Sequence, residues 1–293
     1  MTGIAIIDKP ADWTSHDVVA KLRGALGIKR IGHGGTLDPM ATGVLPIFIG
    51  RATRAAEFIE NADKEYIAGL RLGVVTDTQD ITGNVLSSCE ASITNRELLD
   101  ILPRFTGAQK QTPPMYSAVK VGGKKLYELA RRGVEVRRED RDINIYSIDL
   151  LESSDNRFLL KVACSKGVYI RTLCHDIGEA LGCGGALESL RRTRAGVFTI
   201  AMAHTLEDVL SAAARGNTDD FLIPVDNLFS QYPSIVLGES EAFKCKNGAR
   251  FKVSGSSDGM IRVYSPDNEF LALCNVVNGF AKIVKSFYEA PNP

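Results

Sequence analysis

The sequence predicts a chain that mixes helices and strands through about residue 230, followed by a small module built from strands. Three observations predict it. Thr14-Ser15-His16-Asp17 and Thr94-Asn95-Arg96-Glu97 each place a hydroxyl three residues before an acid, the reciprocal capping pattern of a helix start. Apolar runs of strand character lie between and beyond these starts, as in residues 157–164. Past residue 233 the apolar residues fall in short alternating runs divided by turns such as Pro266-Asp267-Asn268.

The elements follow in order. Residues 3–8 read as a strand, with Ile4 and Ile6 among small residues. After Thr14, Val18, Val19, Leu22 and Leu26 keep helical spacing up to a stop at Gly27, leaving Lys21 and Arg23 on the outer face. A glycine-rich loop at 32–43 runs into an apolar strand at 44–49. Residues 66–72 form another strand, and the second capped helix passes through Leu98, Leu99 and Leu102. Residues 109–143 differ in character: Pro113-Pro114, Tyr116, Gly122-Gly123 and a short basic helix ending at Gly133 read as an excursion from the core. Phe158, Leu160, Val162 and Cys164 alternate on one face of a half-buried strand. A turn then leads through Tyr169 and Arg171 into a helix with Leu173, Ile177, Ala180 and Leu181 on one side. A boundary is expected at 229–233. The strands beyond it, at 250–253, 259–264, 270–276 and 280–284, read as a small barrel or sandwich appended for binding.

Composition narrows the function. At 293 residues, 44% hydrophobic and 24% charged, the chain has room for two domains with ordinary globular cores. It has no apolar run long enough to span a membrane, and Asp8 and Lys9 come too early for a secretory signal. None of the six cysteines forms a C-x-x-C pair, so reduced thiols in a cytoplasmic protein are expected, with no metal site. A net charge of zero hides an asymmetry. Residues 108–141 hold nine Lys and Arg against four acids, and basic runs recur at 18–35 and 187–195. Together these fit a protein that grips a polyanion on one face, although any single run is more commonly a solvated surface. No phosphate-cradling G-x-x-x-x-G-K-[ST] or dinucleotide G-x-G-x-x-G is present. Cys174-His175-Asp176 has the residues of a nucleophile cluster, but neighbours on a helix point in different directions.

The loop GHGGTLDPMATG, residues 32–43, is the most informative stretch. Glycine permits close approach and positive φ, and Pro39 holds Asp38 out of helical geometry. One carboxylate is thereby presented on a rigid turn beside a buried strand. The plain alternative is an Asp-Pro turn joining two strands.

Six ordered segments decide between these readings. They are DKPxxxTSHD at 8–17, GHGGTLDPMATGVLPI at 32–47, KEYxxxLxLGxxTDTxDxxG at 64–83, QTPPMYSAVKVGGKKLYELARxG at 111–133, CSKGVYIRTLCHDIGEALGCGG at 164–185 and LRRTRAGVF at 190–198. The chain resembles the TruB family, bacterial pseudouridine synthases that act on the T loop of tRNA. The resemblance spans about residues 3–230, with a weaker tail. It implies an α+β fold with a mixed, largely antiparallel central sheet and flanking helices, the pseudouridine synthase fold. A catalytic domain at 1–230 would carry a thumb-like RNA-binding insertion at 109–141, and a PUA-like module would occupy 232–290.

The resemblance also implies the chemistry. The N1–C1′ bond of a uridine breaks, the uracil turns, and C5 bonds to C1′. No atoms are lost, so no cofactor or metal is required. Asp38 is the expected nucleophile or base, at C1′, at C6 or at the C2′ proton. Arg171 is expected to pair with it and keep it ionised. Tyr66 is expected to stack on the uracil and accept the C5 proton. Tyr169 is expected to hydrogen-bond Tyr66 or the Asp38–Arg171 pair. The target base must be flipped out of its stack, with His33 filling the gap and Leu190 walling the uracil pocket. Lys9 is expected to shore up the catalytic loop. The expected partner is tRNA, through the T stem-loop with the acceptor stem as a further contact; no membrane and no obligatory protein partner are expected, and the chain is read as a monomer. Two other readings stay open here: the catalytic subunit of a guide-RNA particle, and an RNA-folding protein that needs no catalysis.

Overall fold

The protein is described from a computed structural model. It covers residues 1–253, 255 and 257–288, so the last two residues of the expected 232–290 module, and Ser254 and Ser256, lie outside the described residues. In chain order the larger part contains β1 (Gly3–Lys9), α1 (Ser15–Leu26), β2 (Ile31–His33), β3 (Thr42–Ile49), α2 (Ala56–Glu60), β4 (Lys64–Leu72), β5 (Val74–Thr76), β6 (Val85–Ser88), α3 (Asn95–Ile101) and β7 (Gly107–Gln111). It continues through β8 (Lys120–Val121), β9 (Lys124–Lys125), α4 (Leu126–Ala130), β10 (Arg141–Ser154), β11 (Arg157–Cys164), α5 (Ile170–Ala180), β12 (Gly185–Ala195), β13 (Phe198–Thr199), β14 (His204–Thr205) and α6 (Leu206–Ala214).

The capping boxes set the first and third helices. Thr14 accepts from the Asp17 amide while Asp17 returns a bond to the Thr14 amide, and Gly27 closes α1 at φ 65°. Thr94 and Glu97 repeat the arrangement at α3. The central sheet runs β14-β1-β3-β12-β4-β11-β10-β7, with β2 and β13 paired at its side. Only β1 with β14 and β12 with β3 are parallel; the remaining pairs are antiparallel, so the α+β, largely antiparallel expectation holds.

Alternation sorts each strand between two cores. Ala5, Ile7, Leu45 and Ile47 join Val18, Leu22, Leu173 and Ile177 on the face covered by α1 and α5. Ile4, Ile6, Val44 and Phe48 face the other way, against Phe198, Phe229, Leu273 and Phe287. The second core is shared with the C-terminal module, which contains β15 (Ser234–Val236), α7 (Glu239–Lys246), β16 (Phe251–Lys252), β17 (Gly259–Tyr264), β18 (Phe270–Val277) and β19 (Phe280–Ser286). Among the described residues these strands form one sheet ordered β15-β17-β18-β19-β16, in place of the barrel or sandwich the turns suggested. Leu237, Ala242, Cys245 and Val263 pack together between α7 and the sheet.

At the crossing of β3 and β12 the two backbones touch. A Cβ on Gly43 would lie 2.2 Å from the Arg192 carbonyl oxygen, and Gly43 also has φ 97°. Gly43→Ala is expected to cost at least about 2 kcal/mol, read as a lower denaturant midpoint with an unchanged slope.

Candidate active site

The loop between β2 and β3 is pinned residue by residue. Arg192 donates to the carbonyls of Gly35 at 3.1 Å, Thr36 at 3.4 Å and Val44 at 2.7 Å. The Ser15 hydroxyl exchanges bonds with Leu37, 3.2 Å to its carbonyl and 2.9 Å from its amide. The Asp38 carbonyl accepts from the Ala41 amide at 3.0 Å, and that of Pro39 accepts from Asp12 at 2.9 Å. Lys9, with no exposed surface, closes the set: its ammonium donates to the carbonyls of Pro10, Trp13 and Pro39 at 2.8, 2.6 and 3.1 Å. Burial pushes the Lys9 ammonium down to about 8. A turn whose carbonyls are this thoroughly occupied holds its carboxylate with little freedom.

Asp38 projects from that turn into an ion pair with Arg171, Oδ2 to Nε 3.0 Å. Arg171 lies in the first turn of α5, where the helix dipole opposes a cation. Its guanidinium is instead used up by acceptors. Nη1 reaches the Asp80 carboxylate at 3.5 Å and the Thr78 carbonyl at 3.3 Å, and Nη2 reaches the Tyr116 carbonyl at 2.7 Å. Asp80 is held in turn by Thr78 and Thr82, whose hydroxyls donate to it at 2.9 and 2.5 Å. The Arg171 side chain is 7% exposed, whereas that of Asp38 is 39% exposed. The carboxylate is therefore the part of this buried network that a substrate can reach.

Burial lifts the Asp38 carboxyl above the ordinary carboxylate range; Arg171 pulls it down, Asp80 adds to the lift, and Lys9 opposes it. Arg171 alone was expected to set this balance. Desolvation and a second carboxylate outweigh it, while the open side of Asp38 limits the rise. The consequence has a sign. Activity that needs ionised Asp38 is lost as pH falls through its raised pKa. The acid limb of a single-turnover rate profile is therefore expected above the 3.8 of a free aspartate. Fold stability moves oppositely: the neutral carboxyl is the form the fold favours, so its contribution is lost as pH rises through that same pKa.

Tyr66 lies on β4, directly opposite Arg192 of β12 and Val162 of β11, and is 9% exposed. Burial raises its phenol above the ordinary tyrosine range; the Arg192 guanidinium across the strand works against that rise, and Cys164 and Asp38 add to it. Leu190 is also 9% exposed and sits opposite Ala68, on the same face as Tyr66 and Arg192. His33 on β2 packs edge-on against His16, ring centroids 5.2 Å apart. Burial pushes its imidazole down to about 4, so the ring is neutral near pH 7, and its buried Nδ1 has no hydrogen-bond partner among the described residues.

Tyr169 departs from expectation. Among the described residues its phenol bonds neither Tyr66 nor the Asp38–Arg171 pair. Its backbone is clamped by Gln111, which accepts from the Tyr169 amide at 2.8 Å and donates to its carbonyl at 3.1 Å. The basic run at 187–195 is also not the polyanion-facing surface its charge suggested. Arg192 is 1% exposed, and Arg191 pairs with Asp8 at 2.7 Å. Strand alternation turns Arg192 inward beside Leu190, and the period of two carried that signal. Nor is the insertion wholly an excursion. Its hairpin β8–β9 turns at Gly122-Gly123, but Pro113, Pro114, Ser117 and Leu126 are buried, and the Tyr116 carbonyl touches Arg171. Cys174 is buried with its thiol pushed up to about 12, as suits an inert core cysteine. Asp80, Arg192, Ser15 and Gln111 were not singled out from the sequence, although each lies in or beside a quoted motif.

Comparison with known proteins places the chain in a family. Residues 23–170 match the TruB family pseudouridylate synthase N-terminal domain, and 171–230 match the tRNA pseudouridylate synthase B C-terminal domain. The chain is 43% identical over 284 residues to tRNA pseudouridine synthase B of Geobacillus thermodenitrificans, covering 93% of this chain and 94% of that one. It is 41% identical over 292 residues to the protein of the same name from Clostridium kluyveri, covering 98% and 100%. Among solved structures, a chain of a Cbf5-Nop10-Gar1 complex aligns with TM-score 0.74 and 26% identity, over 98% of this chain and 85% of that one. A chain of an H/ACA RNP bound to a substrate RNA containing 2'-deoxyuridine shares the fold at TM-score 0.74 and 24% identity, over 98% and 85%. The chain belongs to the TruB family of tRNA pseudouridine synthases, isomerases that convert uridine to pseudouridine.

Proposed function

We propose that this protein isomerises the T-loop uridine of tRNA, flipped out of its stack, with Asp38 as the carboxylate that acts on it. The observation that carries this reading is the 39% exposure of Asp38 beside an Arg171 side chain only 7% exposed, on a turn fixed by Lys9, Ser15 and Arg192. Such a site offers one charged group to a bound nucleotide without having to organise it at the moment of reaction. In this reading Tyr66 stacks on the uracil and takes the C5 proton, with Leu190 as an apolar wall. His33, neutral and short of one hydrogen-bond partner, takes the place left by the everted base. Tyr169 sits at the start of α5, two residues before Arg171. The reaction conserves atoms, so it calls for no cofactor.

The partner is tRNA. Lys120, Lys124 and Lys125 on the hairpin and Arg131 and Arg132 just past α4 meet phosphates along the T stem, so affinity falls steeply with salt. The C-terminal module, PUA-like in this reading, reaches the acceptor stem. The long 109–141 insertion supports a monomer that works without a guide RNA or obligatory protein partner. No helix among the described residues is long and apolar enough to cross a membrane. The reading places the enzyme in the cytoplasm with its tRNA. Nearest-neighbour analysis of a T-stem-loop transcript, incubated with purified protein and no added cofactor, tests the assignment. Pseudouridine at the loop position is expected; unchanged uridine rejects it.

A further inference from the structure

Among the described residues, Arg192 is one of the largest fully buried side chains, at 1% exposure. Among the described residues it pairs with no carboxylate. Three carbonyls accept from it, those of Gly35, Thr36 and Val44, and Tyr66 lies directly across from it on β4. Burying a cation among neutral acceptors is costly, so its charge calls for an explanation that an ordinary packing residue would not. The neighbouring cationic groups are no help to it: Lys9, His33 and Lys64 each feel it as a like charge. Among the described residues, the group set directly across from it that can become negative is Tyr66, on the same sheet face.

We infer that Arg192 is a positioning residue for the reaction, the buried counter-charge that holds the Tyr66 phenol oxygen and stabilises it as phenolate. The inference rests on the proposed role of Tyr66. Once C5 has bonded to C1′ it still carries its hydrogen. The phenolate takes that proton, the C5–H electron pair closes the C5=C6 bond, and the charge reaching N1 is met by a proton from water. The phenol later returns its proton to solvent, so atoms and charge balance with no other reactant. The same guanidinium holds the carbonyls of the turn that carries Asp38, which ties both reacting groups to one residue. The charged or titratable groups facing Tyr66 are Arg192 from β12, Cys164 from β11 and Asp38 from the loop.

Tyrosine labelled with carbon-13 at Cζ reads the idea without relying on turnover, the Tyr66 signal being assigned by its loss in Tyr66→Phe. In Arg192→Gln the Tyr66 ionisation midpoint should move about one pH unit or more to the alkaline side, and Arg192→Lys should lie between it and wild type. Single-turnover rates should fall about tenfold or more in Arg192→Gln and partly recover in Arg192→Lys, with tRNA affinity unchanged. A Tyr66 midpoint indifferent to the residue at 192 overturns the inference. Should Arg192→Gln not fold, the wild type still decides: the Arg192 Nε nitrogen-15 signal should titrate with Tyr66 and lose that response in Tyr66→Phe, and a flat signal in wild type refutes the contact. Turnover retained in Tyr66→Phe would instead remove the role of Tyr66 itself. Inactive Tyr66→Phe together with an indifferent midpoint would remove only the counter-charge.

Discussion

Asp38→Asn is expected to bind tRNA with wild-type affinity and to make pseudouridine at least about a thousandfold more slowly, measured as single-turnover product formation. The amide keeps the shape of the carboxylate and an oxygen for the Arg171 Nε, so the 3.0 Å contact and the turn around it persist. What is lost is the negative charge. A neutral amide neither attacks a sugar or ring carbon nor removes a proton, whichever of these steps Asp38 performs. Stability is expected to be unharmed, because the fold favours the neutral form at this position. An equal loss of binding and rate would instead mark Asp38 as a contact for the RNA.

Arg171→Met should be the most damaging single change in the site. It leaves Asp38 and Asp80 facing a cavity without the cation that pairs with both and strips a donor from the Tyr116 and Thr78 carbonyls. Breaking a buried pair costs about 3–5 kcal/mol, and the part-solvated Asp38 places this case toward the lower figure. The loss should shrink at acid pH, where both carboxyls can protonate, so chemical denaturation at two pH values separates it from a packing defect. Product formation should drop by about a hundredfold or more. Arg171→Lys keeps the charge but not the planar fork that serves Asp38, Asp80 and two carbonyls together, so it should recover stability better than rate.

The sequence was most legible where local chemistry decides structure. The Thr14 capping box and Gly27 bound α1, and the alternation at 157–164 coincides with β11. The C-terminal strands β17 to β19 lie where the turn residues put them. It was least legible where tertiary surroundings decide. β10 buries little beyond Ile143 and Ile145 over its fourteen residues, so no clean alternation marks it. β12 reads as a charged run because three arginines interrupt its apolar pattern. In α7 only Ala242 and Cys245 turn inward, which hid that helix.

The site divides the same way. Asp38 and Arg171 were visible as a presented acid and a misplaced helix-start cation, and they meet across 133 positions of sequence. Asp80 lies ninety-one positions from Arg171, and Arg192 lies 148 from Val44. Nothing in their local sequence announces those partners. Both residues act through the charge they place beside another group, which only the folded arrangement reveals.

The most direct measurement is tritium release from a T-stem-loop transcript labelled at C5 of its one target uridine, with purified protein and no added cofactor. Rebonding at C5 expels that hydrogen. The account predicts one tritium released per strand, in step with pseudouridine appearance, for the wild type and none for Asp38→Asn at saturating RNA. Equal release by Asp38→Asn, or no release by the wild type, would contradict it.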